Sequence, residues 1–192
     1  MPLPPLSNDT LPGVLTKLNR GNNTIFTSPA AATAVFSNVT NFALGTDIAS
    51  RIGRLIRLKL FEIRAIVYQA TVPATATHDV IRMALIYDFQ PTGVVPVVTD
   101  VYISALTSSL YAYNSSPRFR IIREWFMCIG TITTPGTSSP SVSLLTDTVN
   151  IDLDTVYSTT AFPVTGALYF MYSSATGNSV LDCNVATYYE DK

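Results

Sequence analysis

Polar and apolar positions alternate along most of this chain with a period of two, the mark of strands that bury one face. Thr24-Ile25-Phe26-Thr27 begins the first such run, Ser28-Pro29 interrupts it, and Thr33–Ser37 resumes it. A proline suits an edge or a break, because a central strand would lose a ladder hydrogen bond there. Further strand runs follow at Arg54–Val72, Asp79–Tyr87, Arg118–Thr133, Thr148–Val156, Ala167–Ser173 and Val180–Tyr189, the one at Asp79–Tyr87 being densely apolar and β-branched rather than alternating. Val97–Leu106 is predicted to hold one short helix, with Pro96 at a tolerated first position. With the interrupted run counted as two, this makes eight strands. Their number and the long loops between them predict an all-β fold, a single eight-stranded antiparallel jelly-roll sandwich rather than an up-and-down barrel.

The longest run carries a parity signal. Arg57 and Lys59 share one face, opposite Ile56, Leu58 and Leu60, whereas Glu62 and Arg64 fall on the other parity, opposite Phe61, Ile63 and Ala65. Keeping all four charges on one side requires an extra residue near Leu60–Phe61, which is a β-bulge. A strand that changes its buried face between neighbours is the alternative.

Composition sharpens the picture. The 192 residues suit one domain. Residues 1–23, with Pro2, Pro4, Pro5 and Pro12, read as an N-terminal arm, and 24–192 as the sandwich. Charged residues make up 13% and hydrophobic ones 47%, against a charged share of about 25% in ordinary domains; mean hydropathy is +0.30. Apolar surface beyond what a core can use is usually buried in an interface. A homo-oligomer is therefore expected, and a monomer solvated by Thr and Ser hydroxyls is the alternative. No apolar run approaches the roughly 18–20 residues of a membrane helix, so no membrane partner is expected.

Chemistry is sparse. Cys128 and Cys183 sit in apolar strand patterns and read as buried free thiols, with one disulfide as the alternative. The single His78 excludes a multi-histidine metal site, and there is no G-x-S-x-G, Walker loop or H-E-x-x-H. No enzyme activity, cofactor or metal is expected. Asp152 and Asp154 share a strand face and, with Asp147 and Asp182, resemble a calcium cluster; solvated strand charges are the other reading.

Net charge is −1, but seven of the twelve basic residues lie by residue 64. Lys17, Arg20, Arg51, Arg54, Arg57 and Lys59, with Arg64, are the candidate phosphate contacts, because Lys/Arg neutralisation of phosphate is independent of sequence. Arg57, Lys59, Arg118 and Arg120 have an alternative role, pairing with acids of their own sheet or of adjacent subunits.

The stretch D-V-I-R-M-A-L-I-Y-D-F-Q-P-T-G at 79–93 is a strand stopped by Pro91 and Gly93. Pro96 and Asp100 follow, and after a polar loop comes the strand R-F-R-I-I-R-E-W-F at 118–126. In order and spacing this resembles the capsid proteins of circular single-stranded DNA viruses and those of satellite necrosis viruses, over about residues 50–130. The resemblance implies a coat protein that self-assembles into a small T=1 icosahedral shell of about 60 copies. The shell would be built inside the host cell around a single-stranded genome, DNA favoured over RNA, and the protein would reside in the virion. Those capsids usually begin with an Arg/Lys-rich arm, where this chain has only Lys17 and Arg20. Either a basic segment precedes Met1, or the shell packages its genome by weaker means. A jelly-roll module of low oligomer number that binds carbohydrate or another ligand is the alternative function.

Overall fold

The structure, a computed structural model, describes residues 16–20, 24–26, 33–46, 50–69, 78–112, 117–134 and 137–192, with backbone alone for 16–20, 24–26, 131–134 and 137–140. In chain order the elements are β1 (Thr16–Arg20), β2 (Thr24–Phe26), β3 (Ala34–Asn38), β4 (Leu55–Gln69), β5 (His78–Asp88) and α1 (Val98–Val101). They continue with β6 (Phe119–Thr134), β7 (Thr137–Pro140), β8 (Val142–Tyr157), β9 (Pro163–Thr165), β10 (Ala167–Ser174) and β11 (Ser179–Asp191).

One sheet has the order β1-β11-β4-β8-β9, with β2 also paired to β11, and the other β3-β10-β5-β6-β7. Every strand pair is antiparallel. Taking β1 and β2 as one broken strand, and β7 and β9 as short additions, the eight main strands run first-eighth-third-sixth in one sheet and second-seventh-fourth-fifth in the other. That is jelly-roll topology, as the strand count predicts. The break at Ser28-Pro29 separates two sheets: β2 joins the first, β3 the second. Residues 16–20, expected within the arm, are an edge strand on β11; residues 1–15 lie outside the described residues. The helix is a single turn, shorter than expected, and Pro96 precedes its N-cap Val97 rather than opening it.

The two inner faces interdigitate as strict alternation requires. Leu58, Phe61, Ile63, Ala65 and Val67 of β4 meet Ile81, Met83, Leu85 and Tyr87 of β5 and Leu168, Phe170 and Tyr172 of β10 in one buried cluster. Phe61 and Phe170 lie 6.2 Å apart, and Phe42 stacks on Tyr189 at 4.5 Å. Each such side chain contributes about 1.5–3 kcal/mol by leaving water.

The predicted bulge is present, one residue earlier. Opposite β11, Leu60 pairs with Tyr188 and Leu58 with Tyr189, leaving Lys59 as the extra residue. Opposite β8 the register also slips, Leu60 facing Asn150 and Leu58 facing Leu153, and Asp152 takes up the slip with φ +54°. Where the strands part, Arg51 is 1% exposed. It donates to the carbonyls of Phe42, Gly53, Ser158 and Thr160 and lies 4.3 Å from the Tyr157 ring, tying three loops together. Gly166 (φ +72°) closes the β9–β10 connection where Tyr87 Oη and the Asp154 carbonyl leave no room for a Cβ.

Candidate assembly and nucleic-acid surfaces

The segment between β5 and β6 does more than turn. In β5 both parities are apolar or buried through Asp88, so both faces of the second sheet need cover, and residues 89–112 supply it on the outside. Val101 and Tyr102 of this loop pack on Ala84, Ile86, Phe119 and Met171 in a second buried cluster, joined by Val98 and Tyr111. Tyr111 Oη donates to the Phe119 carbonyl.

Two arginines hold the loop down. At its base Arg118 forks onto buried Asp88, with Nε–Oδ1 3.1 Å and Nη2–Oδ2 2.8 Å. Asp88 also accepts from Gln90 N at 2.9 Å, closing the turn that ends β5. Hydrogen bonding to Asp88 pushes the Arg118 guanidinium pKa up. Further along, Arg82, 4% exposed, pairs with Glu124 at 2.5 Å and donates to the carbonyls of Ser109 (2.7 Å) and Thr107 (3.4 Å). Its guanidinium lies 3.6 Å from the Tyr102 ring and 5.3 Å from that of Phe126. Tyr102 Oη donates to Glu124 at 2.8 Å, and burial raises the Tyr102 phenol well above its ordinary pKa. A planar fork that also stacks is what a buried cation at this place requires.

The loop's outward side is apolar. Val94, Val97, Ile103, Leu106 and Leu110 are 70%, 58%, 67%, 60% and 74% exposed. The only charge among residues 89–112 is Asp100, which accepts from Val97 N at 2.9 Å. Beside the loop, Phe89, Tyr111, Phe119, Arg120, Ile121 and Glu124 line a groove of about 490 Å³.

The expected phosphate contacts are dispersed. Arg51 is a correction: it is buried on four carbonyls, so its charge is not offered to a ligand. Arg57 forks onto Asp152 with both bonds at 2.6 Å, which lowers the Asp152 carboxyl well below the usual range and raises Arg57. Lys59, the bulge residue, reaches Asp152 at 3.3 Å and Glu190 at 3.7 Å. These two cations therefore take the alternative role, pairing within their own sheet. Arg54 and Arg64 are exposed. Lys17 stands opposite Tyr189 and Arg20 opposite Ala186 in the β1 register; their side chains lie outside the described residues.

The four aspartates do not gather. Asp152 serves Arg57, Asp154 serves Lys192 at 2.7 Å, and Asp147 accepts from Trp125 Nε1 at 2.7 Å and Arg123 at 3.1 Å. The Trp125 bond and its partners draw the Asp147 carboxyl below its ordinary pKa. Among the described residues no three metal-ligating side chains converge. Both cysteines are free; Cys183 is buried, its thiol pushed up to about 12 by desolvation, whereas Cys128 is exposed, against expectation. No helix among the described residues is long and apolar enough to cross a membrane.

Sequence reasoning missed Arg82 and the exposed loop. The signal for both was the β5 run, whose apolar residues fall on both parities. No protein-family model matches this chain, and no curated protein sequence matches it.

Proposed function

We propose that this chain is a coat-protein subunit: a single jelly roll that self-assembles into a small icosahedral shell around a single-stranded genome, DNA favoured over RNA, inside its host cell. The observation that carries the reading is the loop 89–112, whose only charge is Asp100 and which presents exposed aliphatic side chains on a domain whose core is already complete without them. Apolar surface of that kind is spread over several places, with Leu144 and Val142 on β8, and Leu44 and Ile52 before β4, all exposed. A shell covers such scattered patches by repeating one subunit, because each patch meets another copy.

The resemblance of residues 79–126 to small single-stranded DNA virus and satellite virus capsids supports the same reading. Arg54 and Arg64, exposed and outside the ion pairs formed among the described residues, are the cations to test for phosphate contact, with Lys17 and Arg20 of the edge strand tested beside them.

Light scattering with negative-stain imaging, at low and high salt, tests the proposal. Uniform closed particles of about 60 copies are expected, and nucleic-acid absorbance in them would report packaging. A monomer or trimer under every condition overturns it. That outcome would favour a ligand-binding module, for which the aromatic-lined groove of about 490 Å³ has the size of an ordinary small-molecule site.

A further inference from the structure

The geometry points to the outer face of the second sheet around Arg82 as a two-fold contact between copies of this chain. The inference rests on the assembly reading above and names one of its contacts. Ile103 N donates to the Leu110 carbonyl at 3.0 Å and Ser109 N to that of Leu106 at 2.9 Å, so residues 103–110 double back on themselves. Arg82 grips this turn through the Ser109 and Thr107 carbonyls while its guanidinium faces Phe126. The turn and Phe126 therefore meet on one arginine. Val80 precedes Arg82 by two on the same strand face and stands opposite Cys128. Phe126 is 56% and Val80 42% exposed.

With Val94, Val95 and Val97 on the same loop, these eight side chains are each between 42% and 74% exposed and leave several hundred Å² of apolar surface in water, on the order of the patches that mark interaction sites. That is a large part of the share one partner gives to an ordinary specific interface, about 800 Å².

Charge selects the occupant. Arg82 and Glu124 are paired with each other, and Asp100 is held by its own loop. Among the described residues Arg120, exposed in the neighbouring groove, is the one cation of this face outside an ion pair, and a single cation is too few to hold a nucleic acid by its phosphates. A second copy meets no penalty, because a two-fold axis brings like charges together only where charges are free, and this face offers apolar groups instead. With the axis centred on Phe126 and Val80, the two exposed Cys128 thiols come toward each other, because Cys128 stands opposite Val80. Cys183 is buried, so a thiol crosslinker reads Cys128 alone.

The experiment treats the full chain with a short bis-maleimide and follows covalent dimer on denaturing gels, beside Leu106→Asp, Leu110→Asp and Cys128→Ser. Urea midpoints establish that each variant folds, and light scattering gives particle mass in parallel. Wild type should give a dimer and no higher species. Each Asp variant should lower its yield about tenfold or more at an unchanged midpoint, and Cys128→Ser should abolish it. Absence of dimer from wild type, its retention in both Asp variants, or its formation by Cys128→Ser would overturn the contact. Uniform particles without the crosslink would sink this contact and leave the shell standing. The crosslink without particles would do the reverse.

Discussion

On the second sheet Arg82 lies under a loop, paired with Glu124 and stacked on Tyr102. On the first, Arg57 forks onto both carboxylate oxygens of Asp152, where Arg82 reaches only one oxygen of Glu124, but both ends stay in solvent. One face of the sandwich is roofed by its own chain, and around Arg57 the other carries no such roof among the described residues. An arginine–carboxylate pair therefore does different work in the two places: under the roof it fixes a second apolar layer, and in the open it dresses a bulge. Screening by water and salt makes the exposed pair weak, while a buried charge left without its partner is costly.

Four experiments bear on that contrast. Arg82→Ala should have the largest effect, a loss of about 3–5 kcal/mol, because it strips Glu124 of its cation and the Thr107 and Ser109 carbonyls of their donor. Urea unfolding measures it, and amide exchange should accelerate first in 98–112. Asp88→Asn should cost about 2–3 kcal/mol, since it keeps the turn bond to Gln90 and loses the charge facing Arg118.

Alkali is the third probe. Burial pushes Tyr87, Tyr169, Tyr172 and Tyr189 up to about 12. The unfolded phenol titrates near 10. A raised folded pKa means stability that is intact below about pH 10 and lost as pH climbs toward 12. Tyrosinate absorbance should then appear together with unfolding; tyrosinate forming in the folded state would show that these phenols reach water.

The smallest effect belongs to Asp152→Asn, which keeps a residue tolerant of positive φ and removes the open-face pair. Its urea midpoint should barely move. The Asp152 carboxyl is held low by Arg57, so what it contributes is present above the ordinary carboxylate pKa, about 4, and lost as pH falls below that toward its folded value. A loss as large as that of Arg82→Ala would erase the contrast between the two faces.

Much of the fold is written in periodicity. The parity change between Leu58 and Phe61 gives away the bulge, because core and solvent sides must be kept. Eight strand runs, most of them alternating, give the sandwich. The edge strand β1 is hidden because its neighbours, Pro12 and Gly13 before it and Gly21 after, read as breakers, and only pairing with β11 makes it a strand. The β8 slip is hidden for a different reason. Asn150 to Asp154 alternates without a fault, and the backbone absorbs the extra residue at Asp152 alone. Arg51 and Arg82 look like surface charges because a sequence does not say which carbonyls will surround them. The absence of alternation in β5 is the one local trace of the roof.

The position of β11 in the first sheet governs when the subunit can come into being. It is hydrogen-bonded to β1 and β2 on one side and β4 on the other, so residues 16–26 have no sheet to join until 179–191 have left the ribosome. Pairings this distant in sequence form slowly. The half-made chain must wait with β4 unflanked on that side, and a cell making it in quantity holds a pool of incomplete chains exposed to chaperones and proteases. The yield of folded protein is then set by how fast the last strand docks, and slower synthesis at lower temperature, which keeps that pool small, is the condition that favours it.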